Sequence, residues 1–281
     1  MPRAPGSEEG GNVKKVTANV YVESELSLCN TGCVVTKEGV VVIDTPMVPA
    51  NAKKVAAEIA KLGEVRYVIN SEPHTDHVAG NGYFGGTVVA HEGTRQAILA
   101  ARPADLQDML RRFSPGSPTL GKDFRFRPPD ITLSERLTIY LGDHTFQLIN
   151  MPGHSPHQLA VYIPEERVVF TSDNVSTGMP FFRQAVPQQW LESLKRLEQL
   201  DVDYVVPGHG EVCQKSYLPQ MGRTVQSWID AVAAAIAGGM SQAEAVEKVT
   251  MTDLYPAAAK DERSAGIVRM NVARIYETLK P

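Results

Sequence analysis

The sequence predicts an α/β fold of the α+β type, built as two similar halves that each begin with strands and continue into helices. Short apolar runs separated by turn residues, which are typical of strands, open each half. Stretches with apolar residues three or four positions apart, which are typical of helices, close it. The 281 residues, of which 43% are apolar, suffice to bury a large core without disulfides.

In the first half, residues 16–22, 32–36 and 40–43 are predicted to form a meander of strands. A helix is predicted over residues 53–62, where Val55, Ile59 and Leu62 share one face and Gly63 ends the helix. Residues 66–70 follow as a strand, which completes a strand, helix, strand unit. Residues 91–101 have a helical pattern.

Residues 102–130 are rich in proline and show little periodicity, which predicts a helix fragment and then a long surface excursion. Long excursions of this kind are often lids, and Phe113, Phe124 and Phe126 are candidates to cap a cleft. The arginines between these aromatic residues also fit a simple solvated loop. We leave the choice between a lid and a solvated loop open.

The second half repeats the pattern of the first. Strands are predicted over residues 138–141, 145–150, 159–163 and 168–171, followed by a helix over residues 188–199 and a strand over residues 204–206. From Tyr217 the chain is predicted to be helical, with breaks at residues 238–239 and around Pro256.

Three segments follow from this pattern. We expect a disordered N-terminus over residues 1–12, one domain over residues 13–215 and a C-terminal helical extension over residues 216–281 that packs on the same domain. The last helix is a candidate contact for a homo-oligomer.

Charge and composition limit the classes of partner that the protein is expected to bind. The formal net charge of −4 and the scattered basic residues do not favour nucleic acid. No apolar run reaches the roughly 18 residues needed to span a bilayer, and the N-terminus has no apolar signal core, so we expect no membrane partner and a cytoplasmic protein. Cys29, Cys33 and Cys213 have no zinc-finger spacing, and we expect Cys29 and Cys33 to be buried thiols and not a metal or redox pair.

Several residues with metal-binding side chains follow directly after the predicted strand at residues 66–70. In an extended chain Glu72, His74 and Asp76 project to the same side, and His77 turns back beside them. Four groups with metal-binding atoms so close together would repel each other if buried without a cation, so this segment predicts a metal site.

Three further residues strengthen that prediction because each stands at a strand end with glycine nearby. They are His154, Asp173 and His209. His91, His144 and His157 lack this context and are predicted to be packing or surface residues.

This arrangement resembles the metallo-β-lactamase superfamily, whose pattern is His-x-His-x-Asp-His, then Gly-His, a strand-end Asp and a late Gly-His. The match runs from Val16 to Gly210 and includes Asp44, which corresponds to the aspartate that supports the metal loop. The resemblance implies a four-layer αβ/βα sandwich with metals in a cleft at one edge. It implies one site made of Glu72, His74 and His154 and another made of Asp76, His77 and His209.

Asp173 matches the aspartate that bridges both metals in the glyoxalase II, lactonase and nuclease branches. True β-lactamases of this superfamily lack that bridge, so a β-lactam is the less favoured substrate. The departure from the family is Glu72, which stands where histidine is usual. An oxygen ligand there would suit Mn2+ or Fe2+ as well as Zn2+, of which we expect two ions per chain. The alternative is that Glu72 points away and leaves the first site half empty.

The resemblance therefore predicts a hydrolase in which a metal-bound hydroxide attacks a small carbonyl substrate such as a lactone, thioester or ester. Asp76 is expected to orient the nucleophile or relay its proton as well as to bind metal. Met179, Phe181 and Phe182 are expected to wall the substrate cleft, with Arg183 available to a substrate carboxylate. The alternative for these four residues is ordinary packing.

Other activities remain open at this stage. The same fold carries mononuclear iron persulfide dioxygenases, and a non-catalytic metal-binding protein would result if Glu72 disabled the first site. A flavodiiron protein is disfavoured because no flavodoxin-like domain follows. A nuclease is disfavoured because no inserted domain or substrate-binding arm is evident.

Overall fold

The structure is a computed structural model that describes residues 13–25 and 28–280. The predicted disordered segment 1–12 lies outside the described residues. Within the described part, one sheet contains seven strands in chain order. Neighbouring strands are antiparallel from β1 to β4 and parallel from β4 to β7. The strands are β1 (Val13–Lys15), β2 (Val20–Glu23), β3 (Thr31–Thr36), β4 (Gly39–Ile43), β5 (Val65–Asn70), β6 (Thr87–His91) and β7 (Ile131–Leu133).

The second sheet, counted over the same described residues, contains six strands in the order β13-β12-β11-β10-β9-β8. It is antiparallel except for the parallel pair β11 and β12. Its strands are β8 (Arg136–Leu141), β9 (His144–Asn150), β10 (Leu159–Ile163), β11 (Val168–Ser176), β12 (Tyr204–His209) and β13 (Cys213–Gln214).

Helices cover the outer face of each sheet. Among the described residues, the first half contains four helices, namely α1 (Pro49–Ala60), the single turn α2 (Thr75–Val78), α3 (Glu92–Ala100) and α4 (Pro103–Phe113). Four described helices lie in the second half, namely α5 (Pro187–Glu198), α6 (Leu218–Ala237), α7 (Gln242–Lys248) and α8 (Glu262–Leu279).

Three apolar clusters define four layers. Val55 and Ile59 of α1 pack on the outer face of the first sheet. A second cluster fills the space between the sheets, with Ile69 from the first sheet and Phe170 from the second. A third joins the outer face of the second sheet to α5, α6 and α8 around the fully buried Trp190. The chain thus forms the αβ/βα sandwich that the resemblance implies.

The predicted strand at residues 16–22 is wrong in its first part. Residues 16–19 form the turn between β1 and β2, closed by a 2.9 Å hydrogen bond from the Val16 N–H to the Val20 carbonyl. The Thr17 hydroxyl accepts a hydrogen bond from the Val20 N–H, and this local bond competes with extended pairing. Strands β6 and β7 were not predicted, because β6 has a very short apolar core and β7 adjoins the proline-rich excursion.

Two composition-based expectations can be compared with the structure. The three cysteines are free, and Cys29 and Cys33 are buried as expected. In the described part of the chain, no helix combines the length and the apolar character needed to cross a membrane.

The parallel pairs place the functional residues at one edge. The carboxyl ends of β4 and β5 lie side by side, and they lead to Asp44 and to the segment that starts at Ser71. In the second sheet β11 and β12 end together and carry Asp173 and His209. The sheet edges therefore gather residues that are far apart in the sequence.

Candidate metal centre

Seven side chains with metal-binding atoms meet at this edge in two groups. Within each group, one potential ligand atom from every member lies within 4.8 Å of the others. The structure brings together all seven predicted ligands. The first group is Glu72, His74, His154 and Asp173, and the second is Asp76, His77 and His209.

The spacing in the first group suits a single ion. Nδ1 of His74 lies 3.1 Å from Oε2 of Glu72 and 3.2 Å from Nε2 of His154. Nε2 of His154 lies 3.5 Å from Oδ2 of Asp173. Donors placed about 2.0–2.1 Å from a tetrahedral zinc ion are separated by about 3.3–3.4 Å, so these separations match those around one cation.

The second group has similar spacing and shares Asp173 with the first. Nε2 of His209 lies 3.3 Å from Oδ2 of Asp76 and 3.2 Å from Oδ2 of Asp173. Nε2 of His77 lies 3.8 Å from Oδ2 of Asp76 and 3.3 Å from Oδ1 of Asp173. Asp173 therefore contacts histidines of both groups, which is the position that a bridging carboxylate would occupy.

Glu72 points into the centre and not away from it. Its side chain is fully buried, with Oε2 directed at the first group and Oε1 lying 3.1 Å from Nε2 of His77 in the second. Neither oxygen has a partner with hydrogen-bond geometry, and the same holds for Nε2 of His77 and Oδ1 of Asp173. Burying such atoms without a partner is costly, so this set of unpaired oxygen and nitrogen atoms fits a bound cation.

Each of the four histidines in the centre is fixed by its other ring nitrogen. Nδ1 of His77 lies 2.8 Å from Oδ2 of Asp44, and Nδ1 of His209 donates to the Leu28 carbonyl. Nδ1 of His154 lies 2.7 Å from the Phe181 carbonyl oxygen, and Nε2 of His74 lies 3.0 Å from Oε1 of Gln184. These acceptors hold one N–H each, so the inward nitrogen is free to act as a ligand, an arrangement usual for histidines bound to metals.

Asp44 supports the metal loop, as the resemblance implies. Its Oδ1 accepts a 2.7 Å hydrogen bond from the Ser71 N–H, and its Oδ2 accepts one from the Ser71 hydroxyl. The backbone of Asp44 is left-handed, with φ of 58°, a conformation that aspartate tolerates better than most residues. Asp44 thereby links the end of β4 to the start of the loop and orients His77.

The direction of the Asp173 side chain depends on an irregularity in β11. Ser172 has a left-handed φ of 50°, and the pairing of β11 with β12 shifts register on either side of it. Such bulges commonly re-aim a side chain next to an active site. Gly208 on β12 lies so close that an added Cβ would be only 2.8 Å from the Asp173 backbone nitrogen.

The electrostatics of the centre favour positive charge. Burial disfavours a charged imidazole at His74, but the adjacent Glu72 carboxylate outweighs it, and the pKa of His74 is raised to about 9. Burial likewise opposes charge at His209, yet Asp173 and Asp76 hold its pKa well above the usual value. At His154 burial prevails, and its pKa is lowered despite the nearby Glu72. The carboxylates thus create a negative electrostatic potential that would stabilise a bound cation.

Several residues that hold the centre were not predicted. The Oδ1 of Asn174 accepts a 2.9 Å hydrogen bond from the His154 N–H. The Nδ2 of Asn30 donates to the Pro207 and Gly210 carbonyls at 2.8 Å each, on either side of His209. The Cys29 thiol donates to the Asp76 carbonyl at 2.9 Å. The adjacency of Asn174 to Asp173 was the one sequence signal available.

The predicted substrate residues divide into two groups. Phe182 is fully buried and packs against Trp190 and Trp228, so its assignment to the cleft wall is wrong. It belongs to the core because the loop carries it inward, toward α5 and α6. Phe181 is 44% exposed and Arg183 is exposed, so both side chains are accessible, and their contact with substrate stays a prediction. Met179 is partly buried against the same core.

The excursion at residues 102–130 is anchored beside the metal loop. Phe124 is buried against Met47 and Ala79, and Phe126 packs on this cluster, so neither extends freely as a cap. Phe113 is the most exposed of the three aromatic residues, and Arg263 of α8 lies over its ring at 5.6 Å.

The other histidines lie apart from the centre. His91 stacks on His157 with 4.9 Å between ring centroids. His144 sits between Asp143 and Glu166, with 3.0 Å to an oxygen of each. These packing roles agree with the sequence interpretation.

Comparison with known proteins gives a consistent family assignment. A model of the metallo-beta-lactamase superfamily matches residues 25–209. The alpha subunit of 2,4-dinitroanisole O-demethylase from Nocardioides sp. is 28% identical over 182 residues, which are 61% of this chain and 49% of that protein. A linear primary-alkylsulfatase from Pseudomonas sp. is 25% identical over 243 residues, which are 79% of this chain and 44% of that protein.

Among solved structures, an inverting sec-alkylsulfatase from Pseudomonas sp. superposes with a TM-score of 0.70 at 15% identity. That match covers 95% of this chain and 50% of the sulfatase, so the likeness of fold extends through the C-terminal helices. The chain spans about half the length of the two curated relatives described above.

Proposed function

Because the chain belongs to the metallo-beta-lactamase superfamily, we propose that it is a hydrolase that binds two divalent cations, Zn2+ in the first instance. The observation that carries this proposal is the inward orientation of seven donors, four of them imidazoles whose outer nitrogens are already held. Glu72, His74, His154 and Asp173 would hold one ion. Asp76, His77 and His209 would hold the other, with Asp173 shared.

Bound cations of this kind supply a nucleophile by lowering the pKa of water from about 15.7 towards roughly 7. The protein must also move a proton, and Asp76 is the best placed carboxylate to do so. Its side chain is 19% exposed, compared with 10% for Asp173 and 0% for Glu72. Although burial works against ionisation, His77 and His209 hold the pKa of Asp76 well below its usual range, so it is ionised and can accept a hydrogen bond that orients the nucleophile.

The loop between β11 and α5, residues 177–186, offers the nearest substrate contacts. Phe181 has an exposed ring, and its carbonyl holds His154, so its backbone lies beside the first group. Arg183 follows two residues later and is exposed. We assign Phe181 to an apolar part of the substrate and Arg183 to an anionic part. Lactones, thioesters and esters are the proposed substrate classes.

Sulfate esters form a second candidate class. The alkylsulfatase relative aligns over 79% of this chain, and the solved sulfatase superposes on 95% of it, including the helices beyond the family match. The exposed Arg183 guanidinium would suit a sulfate group as well as a carboxylate.

The test combines metal analysis with a substrate panel. Protein stripped with a chelator and reloaded with Zn2+ is assayed on a lactone, a thioester, an ester, a β-lactam, an alkyl sulfate and an aryl methyl ether. We expect turnover of at least one class that is lost with the metal and restored by it. Two bound ions without any turnover would instead support a non-catalytic metal protein. One equivalent of iron with sulfur-dependent oxygen uptake would support a dioxygenase.

A further inference from the structure

The loop at residues 177–186 is tied to α8, nearly 90 residues further along the chain. Asn271 on α8 is fully buried and uses both ends of its amide. Its Nδ2 donates to the Pro180 carbonyl at 2.7 Å, and its Oδ1 accepts from the Phe182 N–H at 2.8 Å. One turn later, Nε of Arg274 donates to the Ala185 carbonyl at 3.1 Å. Three backbone groups of the loop are therefore held by a single helix.

The same loop provides the outer hydrogen-bond acceptors for both histidines of the first group. The Phe181 carbonyl, which accepts from His154, belongs to the residue between the two backbone groups that Asn271 holds. Gln184, which accepts from His74, precedes the residue that Arg274 holds. Fixing the loop backbone therefore fixes the orientation of both imidazoles.

The second group is held differently. Its histidines use the carboxylate of Asp44 and the carbonyl of Leu28. Asn30 supports the strand end that carries His209, and neither Asn30 nor Asp44 belongs to the loop at residues 177–186. The loop touches the second group only at its first residue, where the Thr177 N–H donates to the His209 carbonyl at 3.3 Å. The contacts from α8 lie further along the loop, at Pro180, Phe182 and Ala185, so a disturbance at α8 should reach the first group and spare the second.

We propose that Asn271 is a positioning residue that sets the affinity of the first metal site through the loop at residues 177–186. This inference rests on the proposed metal centre. It also means that the centre depends on a helix outside residues 25–209, the segment that the family model matches. Partners that orient metal ligands typically change metal affinity by about 10- to 100-fold when removed, and we expect an effect of that size.

The experiment uses two backgrounds that each keep one site. His209→Ala removes a ligand of the second group and leaves the first, whereas His154→Ala does the reverse. In each background, Zn2+ affinity is measured by competition with a chromophoric chelator. Asn271→Ala should weaken Zn2+ binding about 10- to 100-fold in the His209→Ala background and less than about 3-fold in the other.

A matched control has the opposite selectivity. Asn30 is likewise a buried asparagine with two backbone partners, in its case the carbonyls of Pro207 and Gly210 beside His209. Asn30→Ala should weaken binding in the His154→Ala background and leave the His209→Ala background nearly unchanged. Equal losses at both sites for Asn271→Ala, or no loss at the first site, would overturn the inference.

A second pair of variants avoids the buried core. Gln184 is exposed, so Gln184→Ala removes the acceptor of His74 with little effect on folding. Its first-site affinity should fall by about 10-fold, and Gln184→Glu, which keeps an acceptor, should retain it. These variants decide the matter if Asn271→Ala fails to fold, because an unchanged affinity in Gln184→Ala would contradict a role of the loop. An unmodified chain that binds no metal would overturn the proposed function and this inference together.

Discussion

Replacing Glu72 by alanine is expected to weaken the binding of both metal ions, although the family pattern places this position in one site only. Oε2 of Glu72 lies 3.1 Å from the inward nitrogen of His74, and Oε1 lies 3.1 Å from the inward nitrogen of His77. The carboxylate therefore faces both groups. Its removal deletes a donor from the first site and a negative charge beside the second.

The expected magnitude follows from these contacts. Losing a partner that merely orients a ligand typically costs about 10- to 100-fold in affinity, so losing a direct donor should cost at least about 100-fold at the first site. A 100-fold weaker site reduces the stabilisation by saturating metal by about 2.7 kcal/mol. At about 2–4 °C per kcal/mol, the rise in Tm on adding Zn2+ should shrink by roughly 5–10 °C.

The assay counts metal per chain after equilibrium dialysis at fixed free Zn2+ and records Tm by calorimetry with and without metal. Glu72→His is an informative companion, because histidine has one inward nitrogen and can serve only one site. It should restore binding at the first site and leave the second weakened. Glu58→Ala, which removes a partly exposed carboxylate of α1 that pairs with Lys61 just beyond the helix, should change neither quantity. A Glu72→Ala protein that holds two ions with unchanged affinity would refute the reasoning.

Asp76→Asn should lower kcat by at least about 100-fold while most of the bound metal remains, and steady-state rates with metal counts on one preparation check this. Near-normal turnover would contradict the role of Asp76. Gly208→Ala should destabilise the metal-free protein by about 1–3 kcal/mol in urea unfolding, because its Cβ would lie 2.8 Å from the Asp173 nitrogen. The pKa of His91 is lowered by burial and by repulsion from His157, so its unfolded form binds the proton more readily. The contribution of His91 to stability should therefore be complete above about pH 6.5 and be lost below it, so the free energy of unfolding in urea should fall less steeply below pH 6.5 in His91→Gln.

The ligands were predictable from the sequence because chemistry restricts them to few residue types and topology restricts them to strand ends. His154 follows β9 and His209 ends β12, whereas Asp173 lies within β11, which continues three residues beyond it. The parallel pairing of β11 with β12 brings Asp173 and His209 together. The four-layer architecture followed from the same match. A single sequence therefore suffices to predict features that depend on residue type and on the alternation of side chains along a strand.

The outer partners were not predictable, because they are mostly backbone groups or amides brought close by tertiary packing. No feature of the sequence shows that the Phe181 carbonyl meets His154 or that Asn271 holds the backbone next to it. Phe181 and Phe182 illustrate this limit of sequence-based prediction, because two adjacent residues of the same type differ in burial. Phe181 is 44% exposed and Phe182 is fully buried against Trp190, and only the path of the loop decides which side chain is buried.

The arrangement of hydrogen bonds also constrains what can occupy the centre. With their outer N–H groups committed to Asp44 and Leu28, His77 and His209 in their neutral forms would present lone pairs to the oxygens of Asp173, 3.3 and 3.2 Å away. Acceptors facing acceptors at this distance repel unless a positive charge lies between them. A proton can satisfy only two atoms at once, whereas a divalent cation can satisfy every donor of a group. The two should therefore compete, and metal binding should release protons from the histidines whose pKa is raised.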